Sequence, residues 1–326
     1  KKYLLIPVWI LLAAVIVLGV VQSGKPANLI DPAGFGFVLV GGIALVLISF
    51  PGAEIRRALR DAVASPGNET DIALSAHFWE AAGRGFWISG VLGSILSFVM
   101  FFQSLKTQPV ASPQVINMGM AQYLLAALYG VLLAVICFIP CWKLMGKSAS
   151  RPLASTAGGA PASTARPGRK ISAAIGYILF LSFLAWFFPL HSIALLIAIK
   201  PAVFVVLGGS IAMVLFMRGS GQTISTAFAA MGLIGSLLGI IQMLFGFTMG
   251  MQGIGQVAGA LAYFIASCLT ALLGMVLVGA PLEDRAIRTG RLAGPSAFSR
   301  AAWYVFPLLA LVTLIPLVFQ LLQPLI

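Results

Sequence analysis

The sequence predicts an all-α polytopic membrane protein with about nine transmembrane helices, built as two parallel four-helix repeats plus a C-terminal helix. First, 60% of its 326 residues are hydrophobic and only 9% are charged, whereas about 25% are charged in a typical soluble domain. Second, long apolar runs recur along the chain. Third, basic residues cluster between alternate runs. These features exclude a soluble enzyme, a secreted disulfide scaffold and a disordered protein.

The apolar runs predict the positions of the helices. A bilayer core needs roughly 20 apolar residues per helix, and helices are expected because lipid cannot satisfy backbone polar groups. The first run is interpreted as a retained span, since no convincing signal-peptidase site follows it. Nine runs qualify or nearly qualify: 4–21, 34–50, 86–105, 119–141, 171–189, 202–217, 228–248, 255–280 and 302–322.

Charge asymmetry predicts the orientation. With the N-terminus on the cytoplasmic side, the inner segments hold 17 basic residues and the outer segments hold three, Lys25, Lys106 and Lys200. Such a split follows the positive-inside rule. Nine spans then place the C-terminus on the outer side of the membrane. The net charge of +12 is explained by anionic lipid headgroups as partners, not nucleic acid.

A linker divides the chain into two halves. Residues 145–170 are rich in Pro, Ala, Gly, Ser and Thr, have basic ends and lack apolar periodicity, which predicts a flexible segment. The predicted domains are a first four-helix module (1–144), this linker (145–170), a second module (171–290) and a C-terminal transmembrane helix (291–326).

The two halves share a sequence plan. The second spans contain the pairs Gly41-Gly42 and Gly208-Gly209, the third spans read GVLGSILSFVMF from Gly90 and GLIGSLLGIIQM from Gly232, and the fourth spans end at Pro140 and Pro281. Both halves start inside by the charge count, so the pattern predicts a parallel duplication and not an inverted repeat.

Small residues at helix-packing spacing predict close contacts between helices. They are Gly235-x-x-x-Gly239, Gly255-x-x-x-Gly259 and Gly90-x-x-x-Ser94, to which the two GG pairs are added. The first inner loop also contains GAEIRRALRDAV, whose periodicity predicts a short amphipathic helix. Its alternative interpretation is a solvated face that only anchors the edge of the bilayer.

The membrane spans lack ionisable side chains. All eight acidic residues fall outside the predicted spans, with Asp31 and Glu80 at interface edges, and His77 and His191 lie in loops. Proton transporters usually carry such a group inside the membrane, so a partner would have to supply it. No catalytic motif appears, and Cys137, Cys141 and Cys268 show no metal-site pattern. We expect no enzyme activity, no cofactor and no metal.

Hydroxyl groups are the polar side chains that remain inside the spans, at Ser94, Ser97, Ser236 and Ser267. A serine can line a wet path or bind a partner's carboxylate. It can equally donate to the carbonyl four residues before it, and the sequence leaves both interpretations open.

At these residues the sequence resembles the MotA/TolQ/ExbB family of proton-channel subunits. The resemblance rests on the GG pair followed by ISFP (48–51) and EIRRALRDA, on GLIGSLLGIIQML (232–244), and on ALYGVLLAVICFIP (127–140). It implies rings of four-span subunits around single-span partner helices, each with an intramembrane aspartate that takes the proton. Copies of this chain or related four-helix subunits would complete the ring.

The resemblance also selects candidate site residues. Where the family has threonines in its fourth span, this chain has Ala126 and Ala127 in half one, and Ser267 and Cys268 in half two; in the third span the equivalents are Ser94 and Ser236. Half two is therefore the better candidate for an ion-lining surface. The large cytoplasmic domain of MotA is missing, so contact with a flagellar rotor is not implied.

Three functions stay open from the sequence. The first is a subunit that couples proton or sodium flow to mechanical work with a single-span, Asp-bearing partner. The second is a non-conducting structural subunit of a larger complex that keeps the fold. The third is a small-molecule transporter with parallel repeats.

Overall fold

Every secondary-structure element in the described part of the chain is a helix, which confirms the predicted all-α class. The computed structural model describes residues 31–63, 69–106, 113–149, 168–187, 200–216, 224–248, 254–288 and 297–322. The helices are α1 (Pro32–Ser49), α2 (Gly52–Val63), α3 (Glu69–Lys106), α4 (Pro113–Ala149), α5 (Gly168–Phe187), α6 (Lys200–Phe216), α7 (Ile224–Thr248), α8 (Ile254–Gly274), α9 (Ala280–Arg288) and α10 (Ala297–Leu322).

Eight of these helices contain apolar stretches that overlap predicted spans. Five stretches are long and apolar enough to cross a membrane: Pro32–Ser49, Asp71–Phe101, Tyr123–Met145, Ile224–Met243 and Gly259–Ile287. Three are shorter: Ile171–Ser182, Lys200–Ala212 and Ala301–Thr313. The predicted span 4–21 lies outside the described residues, as does most of the predicted linker. The total of nine spans therefore stays a prediction.

Two of the helices pass through the prolines at which the sequence analysis ended the fourth spans. The helix α4 continues beyond Pro140 to Ala149. In half two, a π-helical turn at Met275–Gly279 leads directly into α9, which contains Pro281. A proline removes one backbone donor and crowds the preceding turn, and a π turn is one way for a helix to absorb such a change. The prolines therefore do not end these helices.

The chain divides into two compact units. Unit 1 comprises residues 1–94 and 120–180, and unit 2 comprises residues 95–119 and 181–326. Unit 1 contains α1, α2, the first part of α3 and most of α4 and α5. Unit 2 contains α6 to α10. These boundaries differ from the linker-based boundaries of the sequence analysis, which stay a prediction.

Asp31 begins the first described helix of unit 1. Its carboxylate accepts a hydrogen bond from the Ala33 amide at 3.1 Å, and Pro32 occupies the first helical position, as is favoured at helix N-termini. The backbone N–H of Asp31 also donates to the Tyr129 hydroxyl at 2.9 Å. The acidic residue at this predicted interface edge is thus a helix cap.

The predicted amphipathic helix is present as α2. Its face with Ala58, Asp61 and Ala62 is buried. The two alanines of this face belong to one apolar cluster with residues such as Ile72 and Cys141. Ser75 donates to the Asp61 carboxylate at 2.7 Å. The buried face shows that α2 is packed within unit 1 and is more than a solvated surface.

Candidate functional site

Glycines on α7 bring α7 and α8 into close contact in unit 2. A methyl group added at Gly235 would lie 2.6 Å from the Ser267 hydroxyl oxygen, and one added at Gly239 would lie 2.8 Å from the Cβ atom of Phe264. Gly232 faces Ala271 in the same way. Three successive turns of α7 therefore meet α8 without an intervening side chain.

This contact brings together three of the four ion-path candidates. The Ser236 hydroxyl donates to the Gly232 carbonyl at 2.6 Å and lies 3.1 Å from the Cys268 sulfur. Ser267 and Cys268 are fully buried. The hydrogen bond to the carbonyl four residues earlier is the alternative that the sequence analysis left open for Ser236.

The Ser267 hydroxyl differs from that of Ser236. It is fully buried, and its oxygen has no hydrogen-bond partner among the described residues. Most buried polar groups have at least one partner in the protein or in ordered water. Because a hydroxyl both donates and accepts, the hydrogen-bonding capacity of Ser267 is unused among the described residues.

Ser94, the fourth candidate, lies on α3 in unit 1 and is not part of that contact. It too is fully buried, with no hydrogen-bond partner for its hydroxyl among the described residues. Its neighbour Gly93 faces the Phe37 ring of α1 and the methyl group of Ala126 on α4. The residue of α4 that meets Gly93 is thus the apolar Ala126.

The C-terminal helix α10 packs on the same part of unit 2. The Phe306 ring lies beside Gly232, where an added methyl group would come within 2.7 Å of it. The indole of Trp303 donates to the buried Glu283 carboxylate at 3.0 Å. From the sequence, this helix was expected to lie outside the repeats, and its contact with α7 was not predicted. The aromatic residues on one face of α10 were the available signal.

Buried ionisable side chains on α3 were also missed. His77 and Glu80 are each 8% exposed, and Arg84 is 3% exposed. Their spacing of three and four residues places them on one helix face. From the sequence, His77 was expected in a loop and Glu80 at an interface edge, because the predicted span began at residue 86. The apolar stretch of α3 instead begins at Asp71.

Five of the six predicted packing glycines lie at helix contacts. A methyl group added at Gly41 would meet Ser89 of α3, and one added at Gly42 would meet Phe86. Gly209 faces Met231, and Gly235 and Gly239 face α8 as described above. Gly208 is exposed and has only Phe204 of its own helix within 4 Å, while Gly259 has no described atom within 4 Å.

No metal-binding cluster of His, Cys, Asp or Glu is found among the described residues. Cys137 and Cys141 are buried, and the Cys141 thiol donates to the Ala76 carbonyl at 3.4 Å. Both cysteines therefore pack within unit 1.

Comparison with known proteins identifies one family. Residues 44–155 match the MotA/TolQ/ExbB proton channel family. The match covers about a third of the chain, from within α1 through α4, and confirms the resemblance for the first half, whereas a second copy of the module in the other half stays a prediction. No curated protein and no solved structure matches significantly. Together with the apolar helices, the match identifies a multi-pass membrane protein that resembles proton-channel subunits.

Proposed function

From the family match over residues 44–155, we propose that this chain is the multi-span subunit of an ion-driven motor or energy transducer in a bacterial inner membrane. It couples proton or sodium flow to mechanical work together with a single-span partner that carries an intramembrane aspartate. Copies of this chain, or related four-helix subunits, complete the assembly. The family match is the observation that carries the proposal.

The positions of the acidic residues support an external ion carrier. Among the described residues, Asp31 caps α1, and three buried acidic residues lie within apolar stretches that were expected to lack them: Glu80 on the half of α3 nearer α2, and Glu283 and Asp284 near the end of Gly259–Ile287. The described middle portions of α4, α6, α7 and α8 carry no Asp, Glu or His. A proton crossing beside these helices therefore needs a titrating group from a partner.

We assign the path, or the surface that faces the partner, to the buried hydroxyl and thiol groups Ser236, Ser267, Cys268 and Ser94. The hydroxyls of Ser267 and Ser94 are buried without a described partner, so they are available to solvate a carboxylate or to hold water. Half two is the stronger candidate because three of the four groups lie in its α7–α8 contact.

Matched contacts support the proposed parallel duplication. The third spans align Gly93 with Gly235, and counting back from the prolines aligns Ala126 with Ser267. In each half, the aligned glycine of the third span faces two residues. One is the aligned residue of the fourth span, and the other lies in the second span, five residues after Pro32 in half one or after Pro201 in half two. The two sets are Gly93, Phe37 and Ala126, and Gly235, Val206 and Ser267.

We propose a cytoplasmic N-terminus and a periplasmic C-terminus. Reporter fusions placed after Ile326 and within residues 150–165 are then expected to report opposite sides of the membrane, because five predicted spans, an odd number, lie between the two sites. A phosphatase reporter and a fluorescent reporter at both sites provide the measurement. Reporters on the same side would contradict the nine-span topology.

Ion-path variants test the assignment in half two. Ser267→Ala, and Ser236→Ala in a second variant, are expected to leave assembly intact because the volume change is small, and to slow ion-coupled work about tenfold or more. Loss of one hydrogen bond to a charged group corresponds to about 1.5–3 kcal/mol. Ion uptake by vesicles that contain the chain and its co-purified partner is the measurement, and Ala126→Val in half one is the packing control.

A non-conducting structural subunit is the second candidate function. It is favoured by the full burial of Ser267 within this chain and by the apolar Ala126 and Ala127 in half one. Purification in mild detergent separates the two: a small protein with one span and a membrane aspartate supports the motor or transducer. If both serine variants retain full ion-dependent activity, the structural role becomes the better description.

A further inference from the structure

The helix α2 presents an exposed stripe of mixed chemistry. Arg56, Leu59, Arg60 and Val63 follow one another at spacings of three, one and three residues, and all four are exposed, with Leu59 at 50% and Val63 at 75%. The opposite face of the helix is buried in unit 1. Guanidinium groups beside exposed apolar side chains suit the boundary between lipid headgroups and acyl chains better than bulk water.

The start of α2 is fixed near the end of a membrane helix. The apolar helix α1 ends at Ser49, and α2 begins at Gly52. Between them, Phe50 has an extended backbone, with φ −125° and ψ 137°, as expected before a proline. Two residues can span only about 7 Å, so α2 begins at the level at which α1 leaves the hydrocarbon.

The end of α2 is fixed at the same level by α4. The Lys143 ammonium group donates to the Ala62 carbonyl at 2.9 Å. The adjacent Trp142, whose ring is stacked on Phe138, is 64% exposed near the end of the apolar stretch Tyr123–Met145. Exposed tryptophans in membrane helices concentrate at the headgroup level, which places the last turn of α2 there as well.

Contacts with α3 hold the inner face of α2 against unit 1. Arg57 pairs with Asp71 at 2.9 Å, and Ser75 donates to Asp61 at 2.7 Å. The Trp79 indole donates to the carbonyl of Ala58 at 3.2 Å. These contacts fix which face of α2 is turned away from unit 1, and that face carries the exposed stripe.

We propose that α2 lies in the inner membrane interface and that its exposed stripe binds anionic phospholipid headgroups. Arg56 and Arg60 are exposed guanidinium groups able to bind phosphate through two hydrogen bonds, and each is attracted to an anionic lipid surface. Leu59 and Val63 enter the acyl boundary beside them. The inference rests on the membrane placement of α1 and α4, and not on ion conduction.

A spin label at position 63 tests the proposal in the full chain. Val63→Cys provides an exposed thiol, whereas Cys137, Cys141 and Cys268 are buried. The labelled protein is placed in nanodiscs of phosphatidylcholine with or without phosphatidylglycerol. When phosphatidylglycerol is present, power saturation is expected to show that the spin label collides more often with oxygen than with a water-soluble nickel complex. The phosphatidylglycerol retained through purification is measured in parallel.

The double variant Arg56→Gln/Arg60→Gln is expected to move the label toward water and to lower retained phosphatidylglycerol at least twofold. Arg57→Gln is the matched control, because it also removes a guanidinium but one that pairs with Asp71. Three outcomes would each overturn the proposal. They are an equal loss of phosphatidylglycerol in the control, a label that is water-accessible in both lipids, and protection of the label by a co-purified protein. Ion-flux measurements do not enter these outcomes, so the test is independent of the proposed function.

Discussion

Replacing Gly90 by valine is expected to destabilise the contact between α3 and α4 by about 3 kcal/mol or more. A Cβ atom at Gly90 would lie 2.7 Å from the Gly130 Cα atom and 2.9 Å from the Ala126 carbonyl oxygen. Both neighbours are backbone atoms, so no side-chain rotation can relieve the clash. The two helices would have to separate, and close packing is a main source of helix association in lipid.

Thermal unfolding of the purified full chain in detergent measures the effect, and Gly36→Ala is the matched control. Gly36 lies in α1 with no described heavy atom within 4 Å of an added Cβ, and alanine is the better helix former by about 1 kcal/mol. The control should therefore unfold at or above the temperature of the original protein. Similar unfolding temperatures for the Gly90 variant and the control would contradict the close approach of α3 and α4.

Hydropathy predicted where the helices lie because lipid burial imposes a minimum run length on each one. The apolar stretches of α1, α7 and α8 fall within or close to the predicted runs. The amphipathic α2 was predicted for a similar reason, since one apolar and one charged face repeat with helical periodicity. These features depend on residues close together in sequence, so one sequence is enough to find them.

Features that depend on packing between distant segments were less predictable. Hydropathy cannot show that the helix continues past Pro140, because Cys141 and Leu144 beyond it are buried by packing against residues of α2 and α3. Burial of His77, Glu80 and Arg84 has the same origin. The contact of Phe306 with Gly232 joins residues more than 70 positions apart, and no local pattern encodes it.

In the candidate site, too, the sequence predicted which residues lie close together but not how their helices pack. Counting back from Pro281 selected Ser267 and Cys268, and the aligned third spans selected Ser236, so their proximity follows from sequence. The rotation of each helix about its axis does not. It decides that Ser236 bonds to its own helix while the Ser267 hydroxyl faces Gly235, and that Gly209 faces α7 while Gly208 is exposed.

Gly235→Ala is expected to destabilise the α7–α8 contact by about 1–3 kcal/mol, the usual range for overpacking. The new methyl group would lie 2.6 Å from the Ser267 hydroxyl oxygen and 2.9 Å from its Cβ atom. The hydroxyl can rotate away, but the Cβ atom cannot. Gly259→Ala on α8 is the control, since no described heavy atom lies within 4 Å of an added methyl group there.

A second substitution at position 267 identifies the clash as the cause. Ser267→Gly removes both atoms that the new methyl group would meet, so the double variant Gly235→Ala/Ser267→Gly should be more stable than the sum of its single variants predicts. Contacting residues typically couple by about 0.5–3 kcal/mol in such a cycle. Unit 1 contains a related pairing, because a methyl group added at Gly93 there would lie 3.2 Å from the Ala126 methyl group. Ser267→Ala should therefore be tolerated. Additive effects in unfolding measurements would show that Gly235 and Ser267 do not meet, and the assignment of Ser267 to the α7–α8 contact would then fail.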